Sequence, residues 1–215
     1  MDRDTFAGVR VEYGDEPLAR ADLPSDPWTL FRSWLDAARA ASVPEPNGMS
    51  VATVDGDGQP QCRVLLLKQL DERGLVFFSN RESDKGAQLA ANPRAAATFW
   101  WPAPRNRQVR VTGRVEPVPD DESDAYFRTR PRRAQLCSAA SPQSRVVASR
   151  DELESCVAEL AARIGDGPVP RPRHWGGYRL HPAAIEFWQG REGRLHDRFR
   201  FTARDGGWLV ERLAP

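Results

Sequence analysis

Hydrophobic residues follow two different periods along the chain, which divide it into helices and short strands. A helix is predicted after Asp26, because Asp is a good N-cap, Pro27 suits the first helical position, and apolar residues follow at helical spacing. These residues are Trp28, Phe31, Trp34, Leu35 and Ala38. Pro44 and Pro46 are predicted to stop this helix. Residues 1–24 are polar and aperiodic, which is typical of a flexible arm that orders only against another surface.

The middle of the chain shows the short period of strands, interrupted by one helix. The strand-like runs are "GMSVATVD", "RVLLLKQL", "GLVFFSN", "AAATFWW" and "RQVRVTGRVEPV", and the Gly- and Asp-rich "DGDGQP" joins the first two. The segment "SDKGAQLAANP" predicts a short helix with Ser83 as its cap and Pro93 as its stop. A meander of this kind is typical of an antiparallel barrel or sandwich.

Residues 119–164 are predicted to be helical, and the last third of the chain returns to strands. Ser149 and Glu152 form a capping-box pattern ahead of an apolar series, which consists of Leu153, Val157, Leu160 and Ile164. The later strand candidates are "YRLHP", "AIEFWQG", "RLHDRFRFTA" and "GWLVERLAP". The residues therefore predict an α+β fold around a β-barrel, with residues 25–215 as a single domain.

Composition narrows the classes of function. A chain of 215 residues with 40% hydrophobic and 28% charged residues is an ordinary globular protein. Its formal net charge of +1 gives no global attraction to nucleic acid or membrane, so an anion must be met by a local cluster. The three cysteines form no metal or redox motif, and no apolar run approaches the ~20 residues of a membrane helix. We therefore expect a cytoplasmic protein without a metal.

The most basic stretch is the predicted strand from Arg194 to Phe201. Alternation places Leu195, Asp197, Phe199 and Phe201 on one face, and it places four cationic side chains, Arg194, His196, Arg198 and Arg200, on the other. Two explanations stay open for this row. It is either a solvated edge strand or an anion site with Trp188 and Gln189 across the preceding turn.

Three further basic groups favour the anion site over the solvated edge strand. Arg63 and Lys68 stand five positions apart, so a regular strand points them to opposite faces. They are either charged residues at the two ends of the strand or two separate contacts to anions. Tyr126 and Arg130 have i, i+4 spacing, which suits either a phosphate grip or a solvated helix face. Lys85 lies near a helix start. Four cationic groups in a chain of net charge +1 favour more than one phosphate.

The sequence also resembles the pyridoxamine 5′-phosphate oxidase family from about Arg10 to Pro215. The motifs that carry this resemblance occur in the family's order and spacing, and they are "RVLLLK", "FFSN", "RQV", "YF…RP", "PQS", "WGGYR", "IEFWQG", "RLHDR" and "ERLAP". The motif "RQV" taken singly is weak evidence for the family. The succession of "FWQG", "RLHDR" and a terminal "RLAP" is specific.

The resemblance implies an FMN-binding split β-barrel, antiparallel and Greek-key-like with peripheral helices, that forms a homodimer with flavin at the interface. It implies oxidation of pyridoxine 5′-phosphate or pyridoxamine 5′-phosphate, each a small phosphorylated pyridine, to pyridoxal 5′-phosphate. The acceptor O2 becomes hydrogen peroxide. The implied FMN residues are Arg63, Val64, Leu65, Leu66, Leu67, Lys68, Phe78, Ser79, Lys85, Gln108, Gln143, Ser144, Trp188 and Arg198.

The resemblance also implies a substrate site, formed by Arg10, Tyr13, Lys68, Tyr126, Arg130, Arg194 and His196. Lys68, Tyr126 and Arg130 are expected to hold the substrate phosphate, so that binding energy becomes orientation of the reacting carbon. Arg194 and His196 are the expected catalytic residues over the pyridine ring. Residues 1–24 would then act as a lid.

The chain departs from the family's pattern at three places. Asp84 stands where the family has an Arg beside the flavin phosphate, and Ala134 stands where a Ser often contacts the substrate phosphate. The segment Cys137–Ala139 replaces "GAW". These departures keep two alternatives open, which are a phenazine-biosynthesis-type FMN oxidase acting on reduced tricyclic substrates and a non-catalytic binder of flavin or pyridoxal phosphate.

Overall fold

The structure is a computed structural model that describes Gly8 and residues 12–215. Within that range the helices are α1 (Pro27–Ala40), α2 (Asp84–Ala91), α3 (Asp120–Thr129), α4 (Arg132–Ala140) and α5 (Arg150–Ile164). The strands are β1 (Gly48–Val54), β2 (Pro60–Leu66), β3 (Gln69–Asp71), β4 (Gly74–Asn80), β5 (Arg94–Trp101), β6 (Arg107–Pro117), β7 (Trp175–Gln189), β8 (Asp197–Arg204) and β9 (Gly207–Arg212). Two 3₁₀ turns cover Arg20–Asp22 and Glu192–Arg194.

The described strands form one sheet in the order β2-β1-β5-β6-β7-β4-β3, with β8 paired to β7 and β9 paired to β8. The pairs β3–β4, β4–β7, β7–β8 and β8–β9 are antiparallel. This arrangement, together with the five helices of the described range, confirms the predicted α+β class. Among the described helices, none is long and apolar enough to span a membrane.

The described chain divides into two compact units. The terminal unit consists of the described residues up to 49 together with 98–111 and 183–215, and the central unit consists of 50–97 and 112–182. The prediction that residues 25–215 form one domain, with residues 1–24 as a lid, stays a prediction.

Helix α1 of the terminal unit begins where the sequence predicts. The Asp26 carboxylate accepts hydrogen bonds from the backbone N–H groups of Trp28 and Thr29, both at 3.2 Å. On the buried face the Phe31 ring meets the Phe99 ring at 5.0 Å. The predicted stop at the prolines is wrong, because α1 already ends at Ala40 and Ser42 takes a positive φ of 55°. A left-handed residue ends a right-handed helix whichever residues come after it.

The predicted strand from Arg194 to Phe201 is wrong at its start. Strand β8 begins only at Asp197, and Gly193 and Arg194 both have a φ of 63°. This left-handed backbone lies in a 3₁₀ turn and cannot continue an extended strand. Arg194 and His196 therefore do not share a strand face with Arg198.

From Asp197 onward the predicted alternation is confirmed. Asp197, Phe199 and Phe201 are buried, whereas Arg198 and Arg200 are half-buried on the other face. Each of these arginines is neutralised, because Arg198 lies 2.8 Å from a Glu186 oxygen and Arg200 lies 2.9 Å from a Glu211 oxygen. Two of the four cations of the predicted row are thus members of ion pairs.

In the central unit the predicted strand "RVLLLKQL" is interrupted. Strand β2 ends at Leu66 and β3 begins at Gln69, while the Lys68 N–H donates to the Val76 carbonyl at 2.9 Å. The expectation that Arg63 and Lys68 point to opposite faces of one strand is wrong, because Lys68 lies outside that strand. Strand β4 has the bounds that its sequence predicts.

The two predicted strands on either side of Pro182 are one continuous strand, β7. Residues 175–180 pair with β4 and residues 184–189 pair with β8, so Pro182 falls between the two paired stretches. A proline lacks the N–H that a ladder needs, and neither of these two ladders requires one from position 182.

The predicted helical segment 119–164 contains three helices and a non-helical stretch at 141–149. The Ser149 hydroxyl accepts from the Glu152 N–H at 3.1 Å, as the capping pattern predicts. The Glu152 carboxylate instead accepts from the Ala148 N–H at 2.8 Å, one residue before the cap. The apolar face of α5 is only partly buried, against a cluster of Phe127, Leu136, Val169 and Trp175.

Helix α2 begins in very close contact with the preceding backbone. Ser83 caps the helix by accepting from the Gly86 N–H at 3.4 Å. A Cβ on Gly86 would overlap the Arg81 carbonyl group and lie 2.9 Å from the Arg81 Cα. Glycine therefore allows the first turn of α2, which carries Lys85, to rest directly on residue 81.

We expect Gly86→Ala to lower the free energy of unfolding by about 2 kcal/mol, because overpacking against backbone outweighs the higher helix propensity of Ala. Urea denaturation measures this change. Gly56→Ala is the matched control, since a Cβ there meets no atom within 4 Å. Equal stabilities of the two variants would contradict the proposed contact.

Candidate active site

A cavity of about 560 Å³ in the central unit gathers most of the predicted phosphate-binding residues. The predicted FMN or substrate residues on its wall are Leu65, Leu66, Lys68, Phe78, Ser79, Lys85, Tyr126, Arg130 and Gln143. They come from strands β2 and β4, helices α2 and α3, and the connections that follow β2, α3 and α4. The fold thus brings together side chains up to 78 positions apart in the sequence, since Leu65 and Gln143 share the wall.

Lys85 is held at the cavity by neutral partners. Its ammonium group lies 2.7 Å from Gln143 Oε1 and 3.1 Å from Ser83 Oγ. The Ser79 hydroxyl also donates to Gln143 Oε1, at 3.2 Å. Burial lowers the pKa of Lys85, the nearby Arg63 lowers it further, and Asp84 acts in the opposite direction. An anion placed against Lys85 would relieve both of the unfavourable effects.

Arg63 is the second cation beside Lys85. Its guanidinium donates to Thr53 Oγ1 at 2.6 Å and to Gln88 Oε1 at 3.2 Å. Both partners are uncharged, so the positive charge of Arg63 is fixed in position without being neutralised by them. Arg63 and Lys85 thus place two positive charges close enough to repel each other in the central unit.

Stacked aromatic rings build one wall of the cavity. The Phe78 ring lies 4.0 Å from the Tyr126 ring at an interplanar angle of 21°, and 5.4 Å from the Trp175 ring at 13°. A Cβ on Gly177 would lie 2.8 Å from Phe78 Cε1. Glycine at this position of β7 therefore lets the Phe78 ring lie close against the β7 backbone.

Arg130 and Tyr126 face the cavity as the i, i+4 spacing predicts. The Arg130 guanidinium lies 4.7 Å from the centre of the Trp175 ring and donates to Ser138 Oγ at 2.8 Å. Burial lowers the pKa of Arg130. Burial also raises the pKa of Tyr126, which keeps the phenol protonated as a hydrogen-bond donor. A cation and a hydroxyl donor converge there, as a phosphate requires.

A second group of predicted residues gathers in the terminal unit. The Tyr13 ring lies 5.8 Å from Trp188 and 5.6 Å from His196, and Trp188 and His196 lie 4.6 Å apart. The Arg194 guanidinium lies 5.0 Å from the centre of the Tyr13 ring. A Cβ on Gly190 would lie 2.8 Å from Tyr13 Cγ, so this glycine admits the tyrosine.

His196 has a defined hydrogen-bonding role. Its Nδ1 accepts from the Arg191 N–H at 3.1 Å, which places the proton of the neutral imidazole on Nε2. Burial lowers the pKa of His196, and Arg194 and Arg198 lower it further. His196 is thus a neutral group whose Nε2–H is able to donate a hydrogen bond.

The other predicted residues lie elsewhere. Arg198 donates to Glu186 at 2.9 Å and to the Ala214 carbonyl at 2.7 Å. The wall of the central cavity, as far as the described residues show, does not include exposed Val64, buried Leu67 or exposed Ser144. Gln108 is half-buried on β6. Arg10 lies outside the described residues.

The three sequence departures have different surroundings. Asp84 is exposed in the first turn of α2, while Ala134 and Cys137 line the cavity. The guanidinium of Arg81, three residues before Asp84, lies 3.4 Å from Asp120 and 3.4 Å from the Val118 carbonyl.

Sequence reasoning missed several residues of these two sites. Asn80, Ser138, Ser141 and Trp175 line the cavity, and only Asn80 (in "FFSN") and Trp175 (in "WGGYR") stood in a recognised motif. Asp197 is buried in the terminal unit, where it accepts from the Leu18 N–H at 2.9 Å and pairs with Arg191 and Arg212. Its position among the inward-facing phenylalanines of β8 was the available signal, because a buried carboxylate needs partners.

Comparison with known proteins places this geometry in a family. Residues 35–163 match the family described as "Pyridoxamine 5'-phosphate oxidase". Residues 175–215 match the "Pyridoxine 5'-phosphate oxidase C-terminal dimerisation region".

Curated relatives match almost the whole chain. A "Pyridoxine/pyridoxamine 5'-phosphate oxidase" of Pseudomonas paraeruginosa is 56% identical over 213 residues, covering 98% of this chain and 99% of the relative. The protein of the same name from Cupriavidus necator is 54% identical over 211 residues, with the same coverage.

Two solved structures are similar to the fold. PhzG from Burkholderia lata 383, in complex with tetrahydrophenazine-1-carboxylic acid, has a TM-score of 0.86 and 32% identity, covering 94% of this chain and 100% of that chain. A pyridoxamine 5′-phosphate oxidase-related, FMN binding protein from Nostoc punctiforme has a TM-score of 0.69 and 20% identity, covering 88% and 98%. These likenesses confirm the predicted split-barrel fold.

We expect Arg194→Gln to raise the pKa of His196, because one of the neighbouring positive charges is removed while the burial remains. In the unaltered protein this pKa lies below 6.5, so the neutral imidazole contributes stability above about pH 6.5 that is lost as the pH falls through the lowered pKa. NMR titration of the imidazole protons measures the shift. His174 and His181 are internal controls, and an unmoved His196 would contradict the arrangement.

Proposed function

The chain belongs to the pyridoxamine 5′-phosphate oxidase family, and we propose that its central cavity holds FMN and the phosphate of the substrate. The protein is a flavin-dependent oxidoreductase that oxidises pyridoxine 5′-phosphate or pyridoxamine 5′-phosphate to pyridoxal 5′-phosphate. Molecular oxygen is the acceptor and becomes hydrogen peroxide. The observation that supports the proposed site best is the convergence of Lys68, Tyr126 and Arg130 on one cavity.

The substrate phosphate is bound by Lys68, Tyr126 and Arg130. The protonated phenol of Tyr126 and the guanidinium of Arg130 donate to phosphate oxygens, and Lys68 adds a second cation on the same wall. The phosphate lies far from the carbon that is oxidised. Its binding energy therefore orients that carbon and reduces the entropy cost of reaching the transition state.

The donor set beside Lys85 suits the phosphate of FMN. Lys85 and Arg63 supply two positive charges, and Ser79 and Gln143 supply a hydroxyl and an amide. Cations with neutral hydrogen-bonding groups match a phosphate monoester. When bound, the flavin supplies the two-electron redox chemistry, which protein side chains cannot provide. The roles of Val64 to Leu67, Phe78, Gln108, Ser144, Trp188 and Arg198 at the flavin stay predictions.

Arg194, His196 and Tyr13 act on the pyridine ring of the substrate. Neutral His196 donates from Nε2 to the ring oxygen, and the Arg194 cation attracts the same electron-rich oxygen, so that the two residues hold the ring in place. Tyr13 packs against both residues and excludes water from them. Arg10 is proposed to join them from the arm.

The protein forms a homodimer, with FMN at the interface between the two copies. Residues 175–215 match the dimerisation region of the family. Several large apolar side chains are exposed on a single chain and would be covered by a second copy, among them Val64 (68%), Val146 (101%) and Leu195 (75%). Location in the cytoplasm stays a prediction.

Phenazine chemistry is the second candidate, because the PhzG structure is 32% identical over nearly the full chain. The absence of a bulky aromatic residue at Cys137–Ala139 also leaves more room beside the cavity. Identities of 54–56% to the curated oxidases favour the vitamin B6 phosphates.

FMN-loaded protein is expected to consume oxygen when pyridoxine 5′-phosphate is added, with growth of the absorbance of the aldehyde product. An oxygen electrode and a spectrophotometer measure the two signals. Oxygen uptake with tetrahydrophenazine-1-carboxylic acid but not with pyridoxine 5′-phosphate would indicate that the substrate belongs to the reduced tricyclic class. A yellow protein that consumes oxygen with neither compound would be a non-catalytic binder.

Asp84→Arg is expected to tighten FMN binding about threefold to tenfold, because a cation replaces a carboxylate next to Lys85 at an exposed position. Titration with FMN, followed by flavin fluorescence, measures the affinity. Asp57→Arg makes the same change of charge in the exposed turn after β1 and controls for net charge. Unchanged or weaker affinity in Asp84→Arg would reject the placement of the flavin phosphate.

A further inference from the structure

We propose that Ser138 is a positioning residue for the substrate phosphate, through its hydrogen bond to Arg130. The inference rests on the proposed function, because it assigns Arg130 to the phosphate. Ser138 is not one of the predicted site residues, and it lies in the segment Cys137–Ala139 where the chain departs from the family's pattern. It lies on helix α4, eight residues after Arg130, and lines the same cavity as Arg130.

Arg130 is held from two sides by uncharged groups. The Trp175 ring face lies 4.7 Å from the guanidinium carbon, and Ser138 Oγ accepts from Nη1 at 2.8 Å. The ring fixes the plane of the guanidinium but permits it to slide and rotate within that plane. The hydroxyl removes this freedom by fixing one of the five N–H donors. The remaining donors are then available in a defined direction.

The Ser138 hydroxyl also has a proton to give. A serine hydroxyl carries one donor and two acceptor sites, and the bond from Arg130 occupies an acceptor site. Its own O–H therefore remains available for an oxygen atom in the cavity. A phosphate bound by Arg130 presents such an oxygen.

Ala134 explains why this hydroxyl is needed. Ala134 and Ser138 stand at i, i+4 on α4, so they share one face of the helix, and both line the cavity. The methyl group of Ala134 offers no hydrogen bond. Ser138 supplies a hydroxyl from the next turn of the same face.

Replacing Ser138 separates binding from folding. Alanine has a higher helix propensity than serine, so Ser138→Ala keeps or improves the intrinsic stability of α4. Ser138 is also only half-buried, which makes loss of core packing small. A weaker grip on the phosphate is therefore the main expected consequence.

Ser138→Ala in the FMN-loaded enzyme is expected to raise KM for pyridoxine 5′-phosphate about tenfold while kcat changes less than threefold, since a hydrogen bond to a charged group is lost. The flavin content should stay that of the unaltered protein. Ser138→Thr keeps the hydroxyl and should retain a KM close to that of the unaltered enzyme. Ser155→Ala removes a hydroxyl from the exposed surface of α5 and is the matched control.

Two results would overturn the inference. One is a KM in Ser138→Ala within twofold of the unaltered enzyme, and the other is an equal rise of KM in the Ala and Thr variants. If the unaltered enzyme oxidised neither vitamer phosphate, the proposed function would fail separately. Equilibrium binding of pyridoxal 5′-phosphate, followed by its absorbance, would then decide the role of Ser138: about tenfold weaker binding to Ser138→Ala supports it, and equal binding rejects it.

Discussion

The candidate active site depends on positive charges that are held in place by uncharged partners. Lys85 is fixed by Gln143 and Ser83, and Arg130 is fixed by Ser138 and the face of an indole ring. Burial works against both cations, as the lowered pKa values show. An anion stabilises these two cations more effectively than water does, because the attraction acts in a medium of low polarity. The cavity therefore presents fixed positive charges to an anion, as the proposed phosphate sites require.

Other cations of the same protein are paired with carboxylates. Arg179 is 4% exposed and pairs with Asp71 at 2.6 Å and Glu122 at 2.9 Å. Arg198 and Glu186 form a similar pair. These ion pairs use their charge internally and hold the strands in place. The contrast distinguishes the proposed ligand-binding cations from the ion-paired ones by the nature of their partners, whereas a simple count of basic residues does not separate the two classes.

Close backbone approaches position the groups that bind. Gly86 lets the first turn of α2 rest on residue 81, which brings Lys85 to the cavity, and Gly177 lets the Phe78 ring lie close against the β7 backbone. In the terminal unit the left-handed turn at Gly193 and Arg194 ends just before His196. Each of these backbone features places a side chain close to its neighbours in the proposed site, where positioning contributes to binding and orientation.

The sequence by itself determined the periods of the helices and strands, the caps at Asp26 and Ser83, the bounds of β4 and the membership of the family. These features depend on residues that are close in the chain or on the order of motifs along it. Only the tertiary structure decided the break before Lys68, the turn before His196 and the partner of each cation. Lys85 and Gln143 are 58 positions apart, and hydrogen bonds between such distant residues leave no local pattern in the sequence. The charge available to a ligand is set by those distant partners, so it is a property of the fold.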